Sequence, residues 1–352
     1  MTDFAKRLLA WFDRHGRKDL PWQRDVNPYR VWISEIMLQQ TQVQTVILYF
    51  EAFVKRFPGL NDLANADIDD VLAHWSGLGY YARARNLHRA AQVIRDEYGG
   101  AFPDAIDAVE SLPGIGRSTA GAILALAFEQ KQPILDGNVK RVLARHAAVV
   151  GWPGHSDVAS KLWALADKHT PSTRLSDYTQ AIMDLGATLC TRTKPRCDEC
   201  PVRTGCVAFE TSSVAAYPER KPKKEKPLRD TIMIMAVADN SVYMERRPAC
   251  GIWGGLWSFP ELEAAGVEDW CRGISGNGAV HREDWGPLRH SFSHYDLDIH
   301  PVVIRCARMR SSVADSSDST WYQLDQRLPG GIAAPVRKLI DSLRECGDVQ
   351  NH

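Results

Sequence analysis

The sequence predicts a multidomain chain: an all-α domain over residues 1–210, a linker at 211–230, and a smaller α+β domain over 231–352. Three observations carry this. Apolar residues recur at helical spacing from residue 3 to about 187. Four of the eight cysteines then fall between Cys190 and Cys206, and the first 189 residues hold none. After a stretch rich in Pro and charge, short apolar runs of strand character take over.

Apolar residues make up 44% of the 352, enough for real cores. Lys+Arg and Asp+Glu both total 43, so there is no global basic field, and any nucleic-acid contact must come from local patches and helix ends. No apolar run approaches membrane-spanning length. The N-terminal MTDFAKRLLAWFDRHG is an amphipathic helix with acidic residues and no h-region, which points away from export and from a membrane and toward the cytoplasm. Clustered cysteines in such a chain indicate metal rather than disulfides.

Helical periodicity covers 3–16 and 29–57. In the second segment Val31, Trp32, Ile33, Ile36, Met37 and Leu38 are apolar nearly all round, marking a buried helix. Glu35 lies inside that run. Burial raises a carboxyl pKa, so Glu35 is either a structural acid paired with an Arg or a general acid for use near neutral pH. Gln39, Gln40 and Thr41 form a polar interruption. Residues 68–98 read as two helices around Gly77–Arg85, where Tyr80 and Tyr81 beside arginines suit either a helix cap or a stacking and phosphate contact.

The most informative stretch is Ser111–Arg141. Leu112-Pro113-Gly114-Ile115-Gly116 is a tight turn, followed by a helix from Arg117 to Phe128 whose exposed N-terminal N–H groups suit a phosphate. Asp136 then stands beside Gly137 at the start of another helix, with Lys140 and Arg141 following. Helices continue from Gly151 to Ala187, with a polar turn at Asp177 and Tyr178. Cys190-x6-Cys197-x2-Cys200-x5-Cys206 can ligate one zinc or one iron–sulfur cluster. Arg192, Lys194, Arg196 and Arg203 make this loop basic. The linker, with three prolines and a charge run, reads as extended, solvated chain. Beyond it, 231–237 and 241–245 read as strands joined at Asp239-Asn240, and 300–305 as another.

These motifs carry a resemblance across most of the chain. LPGIGRSTA at 112–120 is similar to the hairpin signature of the helix-hairpin-helix DNA glycosylases, in which the following Asp is catalytic. VWISEIMLQQTQV at 31–43 resembles the adenine glycosylase (MutY) form of its helix. The 6-2-5 cysteine spacing resembles the 4Fe-4S loop of endonuclease III and MutY. GIWGGLWSFPE at 251–261 resembles the start of a Nudix (MutT-like) fold.

The resemblance implies a helix-hairpin-helix glycosylase domain, with a six-helix part at about 25–132 and a cluster part built from the N-terminal helix plus 133–210, then a Nudix-like lesion-recognition domain. It implies removal of adenine mispaired with 8-oxoguanine or guanine in double-stranded DNA, by a monomer. Glu35 takes the position of the general acid and Asp136 that of the second catalytic carboxylate, acting as nucleophile or as electrostatic stabiliser, with Asn138, Lys140 and Ser118 in support. Gln39, Gln40, Thr41, Tyr80, Leu112, Gly114, Gly116 and Arg117 fall on DNA-binding positions. Gln23 and Arg24 fall in the adenine-site region, and Phe292, Ser293 and His294 on the loop that reads 8-oxoguanine. Cys190, Cys197, Cys200 and Cys206 would hold the 4Fe-4S cluster.

Two departures qualify this. Asp269 and Trp270 stand where the Nudix box should continue with Arg and Glu, and no Glu pair follows, so no Mg²⁺ site for pyrophosphate hydrolysis is evident. Ser118 stands where lyase relatives carry the Lys that attacks the sugar, which implies a monofunctional enzyme. The competing readings are an endonuclease III-like glycosylase with lyase activity, which leaves Ser118 unexplained, and a non-catalytic DNA-binding protein, which gives no reason for Glu35.

Overall fold

The computed structural model describes residues 1–222, 225–248, 251–275, 280–292, 294–306, 318–326 and 330–349. Two compact units emerge: Met1–Asn65 with Asn86–Lys223, and Ala66–Arg85 with Lys224–His352. The sequence reading assigns 66–85 to the helical domain, whereas its contacts group it with the C-terminal unit.

The first unit is helical. Thr2 caps helix Asp3–His15 by accepting the Ala5 N–H, and Asn27 caps Pro28–Leu38 by accepting from Arg30. The helical segment read over 29–57 is two helices, separated at the polar interruption Gln39–Thr41. Pro28–Leu38 stops at Gln39, Gln40 takes left-handed backbone at φ 58°, and Val43–Arg56 follows. A non-Gly residue in that region ends a helix, and it turns the Gln39–Thr41 stretch outward.

Two apolar cores result. Trp32, Ile33, Met37, Phe50, Phe53 and Phe57 form one, all fully or almost fully buried. Helix Asp3–His15 builds the other with Gly137–His146, Ser156–His169 and Leu175–Asp184, through Phe4, Leu8, Phe12, Val139, Leu143, Leu162 and Ile182. Its far ends are tied by a buried ion pair. Asp184 accepts from the Arg17 backbone N–H at 2.8 Å, from its guanidinium at 2.6 and 2.9 Å, and from Gln180 at 2.8 Å. Asp177 and Tyr178, expected in a turn, lie in the first turn of helix Leu175–Asp184.

The linker is only partly the solvated chain expected. Buried Arg145 donates to the carbonyls of Val214 and Tyr217 at 3.2 and 3.0 Å, and Glu219 accepts the Gly151 N–H, so its first half docks on the helical unit.

The second unit holds a mixed sheet. Its strands are β1 (Leu228–Ala238), β2 (Ser241–Arg246), β3 (Trp257–Ser258), β4 (Glu261–Leu262), β5 (Val280–Asp284), β6 (Leu288–Ser291), β7 (Asp296–Cys306) and β8 (Ser319–Gln323). The main order is β3-β2-β1-β7-β5, with β1 and β7 parallel and the remaining pairs antiparallel. Asp239 and Asn240, both at positive φ, make the expected two-residue turn. Helix Ile68–Trp75 is fastened in this unit by the Asp69–Arg246 pair at 2.5 Å. Among the described residues, no helix is long and apolar enough to cross a membrane.

Removing Asp184 strands the Arg17 guanidinium and empties a buried polar site. Asp184→Ala should therefore cost about 3 kcal/mol of unfolding free energy, read as a lower urea midpoint at unchanged m-value.

Candidate active site

A cavity of about 840 Å³ opens in the helical unit where the two cores meet. Glu35 enters it from Pro28–Leu38, Ser118 and Thr119 from the start of Arg117–Phe128, and Asp136 from the cap of Gly137–His146. Gln39, Gln40, Thr41 and Asn138 complete the part anticipated from the sequence.

Glu35 lines the cavity together with the apolar Leu20, Trp22, Leu38, Ala122 and Ile134. Burial, reinforced by the negative charge of Asp136, pushes its pKa up to about 8. Among the described residues its carboxyl has no ion-pair or hydrogen-bonding partner, which removes the structural-pair reading. Asp136 is placed differently. It caps its helix by accepting the Val139 N–H at 2.7 Å and faces the Asn138 amide at 3.4 Å. Burial also pushes its carboxyl up, and the Val139 N–H, Arg141, Asn138 and Lys140 pull the other way. Of two carboxyls close enough to repel, the one provided with N–H donors and cations holds the charge.

Three close approaches set this geometry. Gly121 lets its helix touch the chain before Asp136: a Cβ there would lie 2.7 Å from the Pro133 carbonyl oxygen. Ser118 Oγ accepts the Leu135 N–H at 2.9 Å, pinning the same segment. Gly186 meets Asn138 so closely that a Cβ would be 2.6 Å from that residue's Cβ. Arg141 gathers the region by donating to Asn138 Oδ1 at 2.8 Å, to the Gly186 carbonyl at 2.7 Å and to the Cys190 carbonyl at 2.7 Å.

In the hairpin, Gly114 takes φ +80° with Asn86 against it; a Cβ would sit 2.7 Å from that residue's Cβ. Gly116 has ordinary negative φ and open space before it, so here the missing side chain leaves room instead of relieving strain. Arg117 lies over the Trp163 ring at 4.1 Å. Leu112 is 2% exposed, so its side chain is a core residue and only its backbone is open to a ligand.

Other anticipated residues lie elsewhere. Gln23 and Arg24 do not line the cavity; Leu20 and Trp22 of the same stretch do. The 3-10 turn Pro21–Gln23 points Trp22 inward against Phe50 and commits Gln23 to the Leu20 N–H and the Arg17 carbonyl. Lys140 is not in the lining either. Tyr80 belongs to the second unit, exposed at 52% with φ 51°. In that unit Phe292 packs with Trp253, His290, His294 and Tyr295, at ring separations of 4.6 to 6.2 Å. Ser293 lies outside the described residues. Glu261, the one Nudix-box acid present, is ion-paired with Arg247.

Arg17, Gln180 and Arg192 line the cavity without having been anticipated as part of it. Arg192 was legible only as one cation of a basic loop, and Arg17 and Gln180 carry no local motif.

The four clustered cysteines line a second, smaller cavity with Arg145 and His146. Among the described residues, no three of His, Cys, Asp and Glu are placed to hold a single metal ion. The thiols are nonetheless near enough to sense one another: burial first, then neighbouring thiolate charge, raises Cys197 and Cys206 and pushes Cys200 up to about 12. Such a set suits a cationic group larger than one ion. Arg145 organises the loop, donating to the Thr191 and Arg192 carbonyls at 2.7 and 3.2 Å and to Cys190 Sγ at 3.4 Å.

Gly186→Ala tests the close approach. It should cost roughly 1–3 kcal/mol of stability, and by pushing Asn138 and the Asp136 cap aside it should lower any activity of this cavity far more than that loss explains, in assays run well below the unfolding midpoint.

Residues 33–168 match the family model of the HhH-GPD superfamily base excision DNA repair proteins, and residues 231–342 match that of the NUDIX domain. The chain is 36% identical over 339 residues to the adenine DNA glycosylase of Buchnera aphidicola subsp. Schizaphis graminum, covering 96% of this chain and 98% of that one. It is 34% identical over 403 residues to that of Homo sapiens, covering 97% and 74%. A thermostable thymine-DNA glycosylase structure aligns at TM-score 0.52 and 27% identity over 59% of this chain and 95% of its own. An endonuclease III–DNA complex shares the fold at TM-score 0.51 and 21% identity, over 59% of this chain and 94% of its own. Two carboxyls in one cavity, set on helices that match over nearly full length, lead to one conclusion: the chain belongs to the adenine DNA glycosylase family.

Proposed function

We propose that the chain excises adenine mispaired with 8-oxoguanine or guanine from double-stranded DNA, as a monofunctional glycosylase acting as a monomer. The observation that carries this reading is the pair of carboxyls with opposed environments in one cavity: Glu35, pushed up to about 8 and without a hydrogen-bonding partner among the described residues, and Asp136 among N–H donors.

Adenine must leave the stack to reach the cavity, at a cost of a few kcal/mol that a mispair lowers. The hairpin amides around Gly114 and Gly116 would hold a backbone phosphate; Gln40, Thr41 and Tyr80 would meet the duplex, and Phe292 and His294 would read 8-oxoguanine. Glu35, protonated at neutral pH, gives its proton to N7 as the C1′–N9 bond breaks and the bonding electrons pass to the base. Ionised Asp136 stabilises the positive charge on the sugar, through space or by a transient bond to C1′. Water completes the hydrolysis, leaving free adenine and an abasic site. Ser118 offers no amine for a Schiff base, and its hydroxyl is occupied by the Leu135 N–H. Cys190, Cys197, Cys200 and Cys206 would hold a 4Fe-4S cluster, whose four-thiolate ligation leaves no open iron and makes it a structural group.

Single-turnover incubation with duplex carrying adenine opposite 8-oxoguanine tests this. Nicks should appear only after hot alkali, and Glu35→Gln should abolish them. Nicking without alkali would overturn monofunctionality, and retained tight binding with no product would overturn catalysis.

Because the reaction needs Glu35 protonated, the single-turnover rate should fall tenfold per pH unit above about 8. The same shift sets a stability trend. The folded state binds the Glu35 proton more tightly than the unfolded chain, so stability falls as pH rises from the ordinary carboxyl value to about 8, then levels. Glu35→Gln should therefore be inactive yet more stable at pH 8, by about 2–4 kcal/mol, in denaturant titrations of both proteins.

A further inference from the structure

Tyr80 tops the turn that follows helix Ile68–Trp75 in the second unit. Its left-handed backbone is unfavourable for a bulky residue and persists only where the surroundings enforce it. Part of that enforcement is local. Trp75 Nε1 and Arg83 both donate to the Gly79 carbonyl, at 3.3 and 3.2 Å, and the Arg83 guanidinium lies 5.7 Å from the Tyr80 ring centre.

The rest comes from beyond residue 245. Tyr81, next to Tyr80, donates its hydroxyl proton to the Ile332 carbonyl at 3.1 Å and accepts the Gly77 N–H at 3.4 Å. Arg337 donates to Ser76 Oγ at 3.1 Å. Arg85 donates to the Gly254 carbonyl, and Arg246 holds Asp69. The fit is close enough that a Cβ on Gly331 would lie 2.7 Å from the Leu72 Cβ. Segment 76–85 is thus gripped at both ends by groups from the C-terminal part, while Tyr80 between those ties stays exposed.

We propose that the C-terminal part has a second role besides lesion reading: it presents Tyr80 to the duplex, with Tyr81 and Arg337 as the positioning residues. This rests on the reading that Tyr80 contacts DNA. A rigid aromatic loses little entropy on stacking, whereas a loop released from its ties must be ordered again at each binding event.

The test uses the full chain with Glu35→Gln to suppress turnover, and measures Kd by fluorescence anisotropy on duplex carrying adenine opposite 8-oxoguanine. Tyr81→Phe removes only the hydroxyl, and Arg337→Gln cuts the other tie at an exposed site. Each should weaken binding roughly two- to tenfold, the range of one hydrogen bond. In a Tyr80→Ala background both should have no further effect, because the ring they position is gone. Equal losses with and without Tyr80 would overturn the proposal while leaving the DNA contact standing. No loss from Tyr80→Ala itself would overturn the contact, and the proposal with it.

Discussion

The candidate site depends on holding two carboxyls, Glu35 and Asp136, in one cavity but in different surroundings. Both would ionise if solvated alike, and their repulsion would then separate them. Burial and the charge of Asp136 push Glu35 up, whereas the cap of Gly137–His146 gives Asp136 the N–H donors of Val139 and Asn138. On the proposed reading, that difference in environment is what assigns the two acids their roles.

Bringing two helix elements that close requires surfaces without bulk. Gly121 against Pro133 and Gly186 against Asn138 each occupy a space that one methyl group would fill, and Ser118 anchors the segment between. By accepting the Leu135 N–H, this serine fixes the segment that leads into Asp136, so a larger residue there must also find room beside that segment. The buried Asp184–Arg17 pair closes the other side of the cavity and joins residues 167 positions apart.

Much of this was legible in the chain. Glu35 inside an apolar run, the Gly-rich hairpin, Asp136 beside Gly137 and the cysteine spacing are all local patterns, each carried by residues within a few turns of one another. What escaped was long-range. Arg17 and Gln180 look like surface residues until Asp184 is folded against them. The hairpin turn is local, but that it drives the Leu112 side chain into the core is not. A single 3-10 turn decides which residue of Pro21–Gln23 faces the cavity, and it is Trp22. The interruption at Gln39–Thr41 was legible, but its cause, left-handed backbone at Gln40, has no strong signature outside glycine.

The grouping of 66–85 with the C-terminal part has a consequence for synthesis. Those residues leave the ribosome long before Arg246, Gly254 and Ile332 exist to receive them, an interval of roughly 10–50 s at ordinary elongation rates. Through that interval Leu72, later against Gly255 and Gly331, and Asp69, later on Arg246, lack those partners. Segment 66–85 therefore waits, during synthesis, for a part of the chain made some two hundred residues later.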